Sequence, residues 1–304
     1  MQITAGMVKE LRERTGAGMM DCKNALAEVD GNMEKAIETL REKGLAKAAK
    51  KAGRIASQGL VNVVFSEDGK RGAIIEVNSE TDFVAKNEEF IGFVTKLAEI
   101  VLDSKAAEVQ DLLKLDYAGE GTVESVLNNK IATIGENMSI RRFVKCEKPG
   151  TVNVGYVHGG GRIGVVVELE TTATVNEVSV PGKDVAMQIA SMNPRFIDES
   201  SVDPEYLESE KKILVQQALN EGKPAEIVEK MVVGRLKKEL KETCLLEQKF
   251  VKDSEISVGQ YIENAAKSIG KSIKIVGMVR YEVGEGIEKA EENFAEEVAK
   301  QMNS

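Results

Sequence analysis

The sequence predicts an α+β protein: a small helical domain, then a duplicated core of antiparallel sheet and helix that is interrupted by a helical hairpin. Three observations carry that prediction. The opening residues follow helical periodicity, the apolar period changes to that of strands from Gly59 onward, and three short core segments return in order further along the chain.

Composition narrows the class. The chain has 304 residues, 42% hydrophobic and 30% charged, enough for two or more cores and typical of a folded soluble protein. A net charge of −9 argues against binding nucleic acid directly, which needs Lys and Arg to displace phosphate counterions. The charge is uneven. Residues 1–54 hold 11 Lys and Arg against 8 Asp and Glu, and the remainder holds 30 against 42; such a split suits either docking on a protein surface or a solvated face. Cys22, Cys146 and Cys244 are far apart and form no CxxC pair, so they read as reduced thiols. The start, "MQITAGMVKELRERTG", has no apolar signal core, and no stretch is long and apolar enough to span a bilayer. The expected location is cytoplasmic, with no membrane association.

Residues 3–43 read as three short helices. Val8 and Leu11 mark the first, which breaks at "TGAG". Met19, Met20, Ala25, Leu26 and Val29 mark the second, which stops at "DGN". Asn32 caps the third, which carries Met33, Ile37 and Leu40 and is expected to end at Gly44. The basic run "LAKAAKKAGR" then follows as an exposed helix or a linker.

From Gly59, "LVNVVF", "SEDGKRG" and "AIIEVNSE" spell a β-hairpin. A helix from about Asp82 to Leu102, a further helical region and a strand around "MSIRRFVKCE" complete the unit. "VNVVF" (61–65) returns as "VNVGY" (152–156), "GAIIEV" (72–77) as "GVVVEL" (164–169), and "IGENMSIRRF" (134–143) is echoed by "IGKSIKIVGMVRY" (269–281). Within the second copy, Asp203 and Pro204 open one helix, Gly222 stops it, and Pro224 opens another, giving an antiparallel hairpin. An acidic amphipathic helix is expected over 286–302. The resulting division is 1–54 (three-helix domain), 55–146 (first core unit), 147–200 with 246–285 (second core unit), 201–245 (hairpin) and 286–304 (C-terminal module).

Catalytic patterns are scarce. His158, the sole histidine, stands in "YVHGGGRIG" and reads as a turn residue. "AAKSIGKS" (265–272) lacks the first glycine of a phosphate-binding loop and runs from helix to strand, the wrong order. Glu80 and Asp82 need not converge from the end of a strand, and Asp at a helix start commonly serves the helix dipole. No metal site or cofactor is expected, and the chain reads as a protein without catalytic chemistry of its own. A metal-dependent hydrolase using Glu80, Asp82 and His158, and a plain helical adaptor, are the rival readings. The polar pair Thr81-Asp82 followed by Phe83 at the tip of a turn stands out, because an isolated Phe normally folds back onto its own core.

"LRERTGAGMMDCKNAL" (11–26) and "EVNSETDFVAKN" (76–87) resemble the two signature segments of the bacterial elongation factor Ts family. "IGENMSIRR" (134–142), "HGGGRIG" (158–164), "GKPAEIVEKMVVGRLKK" (222–238) and "VGEGIEK" (283–289) are similar to further parts of it. The resemblance covers nearly the whole chain in order. It implies a ubiquitin-associated-like N-terminal domain and a guanine-nucleotide exchange factor for the translational GTPase elongation factor Tu. It further implies that Thr81, Asp82, Phe83 and Val84 reach the phosphate side of the GTPase, where Phe83 wedges between partner side chains and disturbs the elements holding Mg²⁺. Met19, Met20 and Lys23 would contact the partner's nucleotide domain, although one of the two methionines is expected to be ordinary helix core. Ile134, Gly135 and His158 would lie at the partner's surface. In some members the hairpin mediates self-association, which makes a homodimer a further expectation.

Overall fold

A computed structural model describes residues 3–222 and 224–288. The helix expected over 286–302 therefore lies almost wholly outside the described residues.

The first three helices are α1 (Ala5–Thr15), α2 (Met19–Glu28) and α3 (Met33–Lys51). Each boundary has a local cause. Thr4 caps α1 by accepting from the Met7 amide, Gly16 ends it at φ 67°, and Asn32 caps α3 by accepting from the Lys35 amide. Leu11, Cys22, Ala25, Leu26 and Ala36 close a small apolar core. The expected stop at Gly44 does not occur. Gly44 is buried within α3, where a side chain would come 3.5 Å from Ala132, and the second half of α3 packs along α7 (Val123–Ile134). Tertiary packing thus carries the helix through the basic run.

The core is two copies of one plan. Strands β1 (Gln58–Phe65), β2 (Gly72–Ser79) and β3 (Met138–Cys146) form one antiparallel sheet. Strands β4 (Thr151–His158), β5 (Ile163–Thr171) and β8 (Ile273–Glu282) form the other, with the same order. Each sheet is covered on one face by helices. Ala73, Ile75 and Val77 meet α5 (Glu88–Asp103), and Val165, Val167 and Leu169 meet α8 (Val175–Met192). The remaining faces meet through Val61, Ile74, Cys146, Val166 and Tyr281. The layers therefore run helix, sheet, sheet, helix, and β2 is buried along its whole length.

Duplication extends to the backbone. The Val61 amide donates to the Gly161 carbonyl (2.8 Å), and the Asn153 amide donates to the Gly69 carbonyl (2.7 Å). One bond becomes the other by a shift of 92 residues, so each hairpin turn is tied to the opposite sheet. Gly161 has φ 98°, and a side chain there would strike Leu60 at 2.2 Å; only glycine suits both demands. A register shift also recurs, after Glu76 in the first sheet and after Glu168 in the second. Both glutamates are buried.

Between β2 and β3 lie α4 (Asp82–Ala85), α5, α6 (Val109–Leu112) and α7. The single helix expected from about Asp82 is thus two, because Asn87 takes a cap position and accepts from the Glu89 amide at 2.8 Å. In the second copy, α9 (Pro204–Asn220) and α10 (Ala225–Thr243) form the hairpin, closed by Leu214, Val215, Ala218, Val228 and Val232. The short pair β6 (Lys249–Phe250) and β7 (Asp253–Ser257), then α11 (Val258–Ile269), return the chain to β8. No described helix is long and apolar enough to cross a membrane.

Glu76 ties the two units together. Its carboxylate accepts from the Gly284 amide (2.9 Å), Arg141 (3.0 Å), Arg142 (2.6 Å) and Asn78 (3.1 Å). Arg142 lies over the Tyr281 ring at 4.0 Å. Burial alone would raise the Glu76 pKa, but the Gly284 amide and the Arg142, Arg141 and Asn78 side chains outweigh it and hold it below its ordinary value. A depressed folded-state pKa contributes stability above the unfolded value, and that stability is lost as pH falls through the folded one. Glu76→Gln is expected to cost about 3 kcal/mol at pH 7. Thermal unfolding of both proteins from pH 7 down to 3 should show the gap narrowing below the carboxylate range; a constant gap would contradict the assignment.

Candidate partner-binding site

The turn at the end of β2 is built by three successive roles. Thr81 is the N-cap of α4, its hydroxyl accepting from the Val84 amide at 3.4 Å. The same hydroxyl donates to Glu136 (2.7 Å), and the Thr81 amide donates to the other oxygen of that carboxylate (3.0 Å). Asp82 pairs with Lys86 one turn on at 2.6 Å, and this hydrogen bond from Lys86 holds the Asp82 carboxyl below its ordinary pKa. Phe83 is 82% exposed, far from the usual place of a phenylalanine.

Val84 differs from its neighbours. It is 7% exposed and sits in the core beneath the turn with Val77 and Phe90. Expected among the partner-facing residues, it packs its side chain into this chain's own core, and the neighbouring Phe83 faces outward.

The other expected residues stand on separate elements. Met19 and Met20 open α2 and are 60% and 62% exposed, while Cys22, Ala25 and Leu26 fill the helix core. Neither methionine is the core residue that one of them was expected to be. Lys23 is also exposed. Ile134 ends α7, half-buried against the core, and Gly135 follows in the left-handed region at φ 91°. α3 packs on α7, and a cleft of about 340 Å³ between them is lined by Gly18 and Asp21 of the α2 start on one wall and Asn129 and Thr133 on the other. His158 ends β4, exposed, with its Nδ1 2.9 Å from the Tyr156 hydroxyl. A second cleft, about 600 Å³, brings Asp82 and Lys86 of the first unit together with Gly159, Gly160 and Arg162 of the second, and with residues 282–287. The turn of Phe83 and the turn after His158 thus border one opening.

The carboxylates of this region do not assemble a catalytic centre. Glu80 accepts from the Asn137 amide at 2.5 Å and lies 3.5 Å from Arg54, whereas Asp82 is engaged by Lys86. Among the described residues no group of three or more His, Cys, Asp or Glu side chains could hold a metal ion. Two residues that matter to the turn were missed from sequence: Lys86, four positions after Asp82 on a helical stretch, and Glu136, which shares the segment "IGENMSIRR" with Ile134 and Gly135. The i to i+4 spacing was a readable signal for the first; no local pattern pairs Glu136 with Thr81.

A sequence model of the family described as Elongation factor TS matches residues 80–285. An elongation factor Ts of Clostridioides difficile (strain 630) is 58% identical over 300 residues, 99% of this chain and 99% of that protein. One of Clostridium perfringens (strain SM101 / Type A) is 57% identical over 298 residues, 98% of each, and one of Clostridium botulinum (strain Alaska E43 / Type E3) is 55% identical over 300 residues, 99% of each. With nearly the whole length matched in this way, the chain belongs to the elongation factor Ts family.

Proposed function

We propose that this chain binds elongation factor Tu in its GDP form and promotes release of the nucleotide by inserting Phe83 beside the Mg²⁺ and phosphate side of the GTPase site. The observation that carries the reading is Phe83 itself: a large aromatic ring 82% exposed, on a turn fixed by Thr81, Glu136 and the buried Val84. Desolvation of such a ring by a partner is a strong source of interface energy. Asp82 and the turn after His158 border the same cleft, which supports placing both near the partner. Met19, Met20 and Lys23, exposed at the start of α2, supply a second contact on the partner's nucleotide domain, and Ile134 with Gly135 a third.

Exchange needs no nucleophile, base or metal from this chain. It needs tighter binding to nucleotide-free than to nucleotide-bound partner, and GDP must weaken the complex by the same ratio. An adaptor of the plain kind would bind both forms alike.

Release of labelled GDP from elongation factor Tu tests the reading. Phe83→Ala is expected to lower the acceleration about 30-fold or more, the equivalent of ~2 kcal/mol. Its unfolding temperature should hardly move, because the ring is almost free of its own core. Asp82→Ala should cost less. A wild-type chain that leaves GDP release unchanged would overturn the reading.

The hairpin leaves Ile213, Ile227 and Val233 exposed beside its closed core, which supports self-association of two copies there. Sedimentation velocity over a concentration range should show a dimer that Val233→Asp weakens. A sedimentation coefficient independent of concentration would contradict this part.

A further inference from the structure

The end of β2 and the connection from α7 to β3 each carry a glutamate, and each glutamate serves the other segment's backbone. Glu136 spreads its two oxygens over the amide and hydroxyl of Thr81. Glu80 reaches the opposite way to the Asn137 amide, and the Asn137 side chain donates to the Arg54 carbonyl at 2.7 Å. The two segments are 55 to 57 residues apart in sequence. Phe83, being exposed, contributes little packing of its own to the turn. Its direction depends on how Thr81 is held on one side and Val84 on the other.

We propose that Glu136 is the positioning residue of the exchange site: its carboxylate fixes Thr81 as the cap of α4, and through Thr81 it fixes the direction in which Phe83 leaves the surface. The proposal rests on the reading of Phe83 as the intruding residue. The physical ground is the strength and geometry of the contact. A carboxylate that accepts two hydrogen bonds from one residue holds both the backbone and the χ1 of that residue, and bonds to an ionised acceptor are the stronger kind. Without them, residues 81–83 sample several conformers, and the ordering has to occur during insertion instead of before it. Docking through α2 does not use this contact and would persist.

That separation gives the test. GDP release from elongation factor Tu is measured against increasing concentrations of wild type, Glu136→Gln, Thr81→Val, Thr81→Ser and the double variant Glu136→Gln with Thr81→Val. Glu136→Gln keeps the shape but removes the charge, and in either orientation of its amide an NH2 group replaces one of the two acceptors that Thr81 uses. It is expected to lower the maximal release rate about tenfold, with the half-saturating concentration changed by less than about twofold. Thr81→Val should behave similarly, Thr81→Ser should retain more of the rate than Thr81→Val, and the double variant should lose less than the two single losses combined, since each single variant already loosens the same turn. A raised half-saturating concentration at unchanged maximal rate, or additive losses, would overturn the proposal. Should Glu136→Gln fold poorly, Thr81→Val and Thr81→Ser, which leave the carboxylate in place, decide the matter. Wild type that works beside a Glu136→Gln that works equally overturns this inference alone. Wild type that speeds no release overturns the exchange reading, and this inference falls with it.

Discussion

The buried carboxylate of Glu76 is the interaction on which the arrangement of the molecule depends. It sits on β2 between two sheets, where an unpaired charge would be costly, and it is satisfied from both units. Arg141, Arg142 and Asn78 come from its own sheet, and the Gly284 amide comes from the segment that leaves the other sheet. Arg142 then reaches on to Glu285 at 3.3 Å and stacks on Tyr281. Residues 282–287 are in this way drawn against the first unit, and they form one wall of the cleft that Asp82 and Gly160 share. A contact deep in the structure thus sets the shape of the surface on which Phe83 stands.

Duplication explains why such a contact exists. Glu168 occupies the corresponding place in the second sheet, paired with Lys148 at 2.6 Å, and a side chain at Gly277 would collide with its carboxylate. The paired backbone bonds from Val61 and Asn153 follow the same rule. Two copies of a sheet that each bury one acidic residue beside a bulge meet face to face, so each copy's irregularity falls near the joint between them. In the first copy the bulge region serves the joint directly.

Much of this was legible in the sequence, because it is written in local patterns. Caps at Asn32 and Asp203, the break at "TGAG", and the echo of "GAIIEV" in "GVVVEL" all follow from short-range chemistry, and the structure carries each of them. One misreading has a tertiary cause: α3 passes through Gly44 because Ala132 of α7, distant in sequence, packs against it. The division of α4 from α5 is different, since Asn87 before two glutamates was a readable cap. Exposure of Phe83 was anticipated only through the resemblance, and the contact that holds its turn joins residues 55 positions apart, where no periodicity points.

On the proposed mechanism, Phe83 discriminates between states of the partner. The most direct test is the affinity of wild type and Phe83→Ala for nucleotide-free and for GDP-bound elongation factor Tu, measured by calorimetry under one set of conditions. Wild type should bind the nucleotide-free form much more tightly, and Phe83→Ala should narrow the ratio by weakening that form above all. Equal losses on both forms, leaving the ratio intact, would make Phe83 an ordinary contact and contradict the claim.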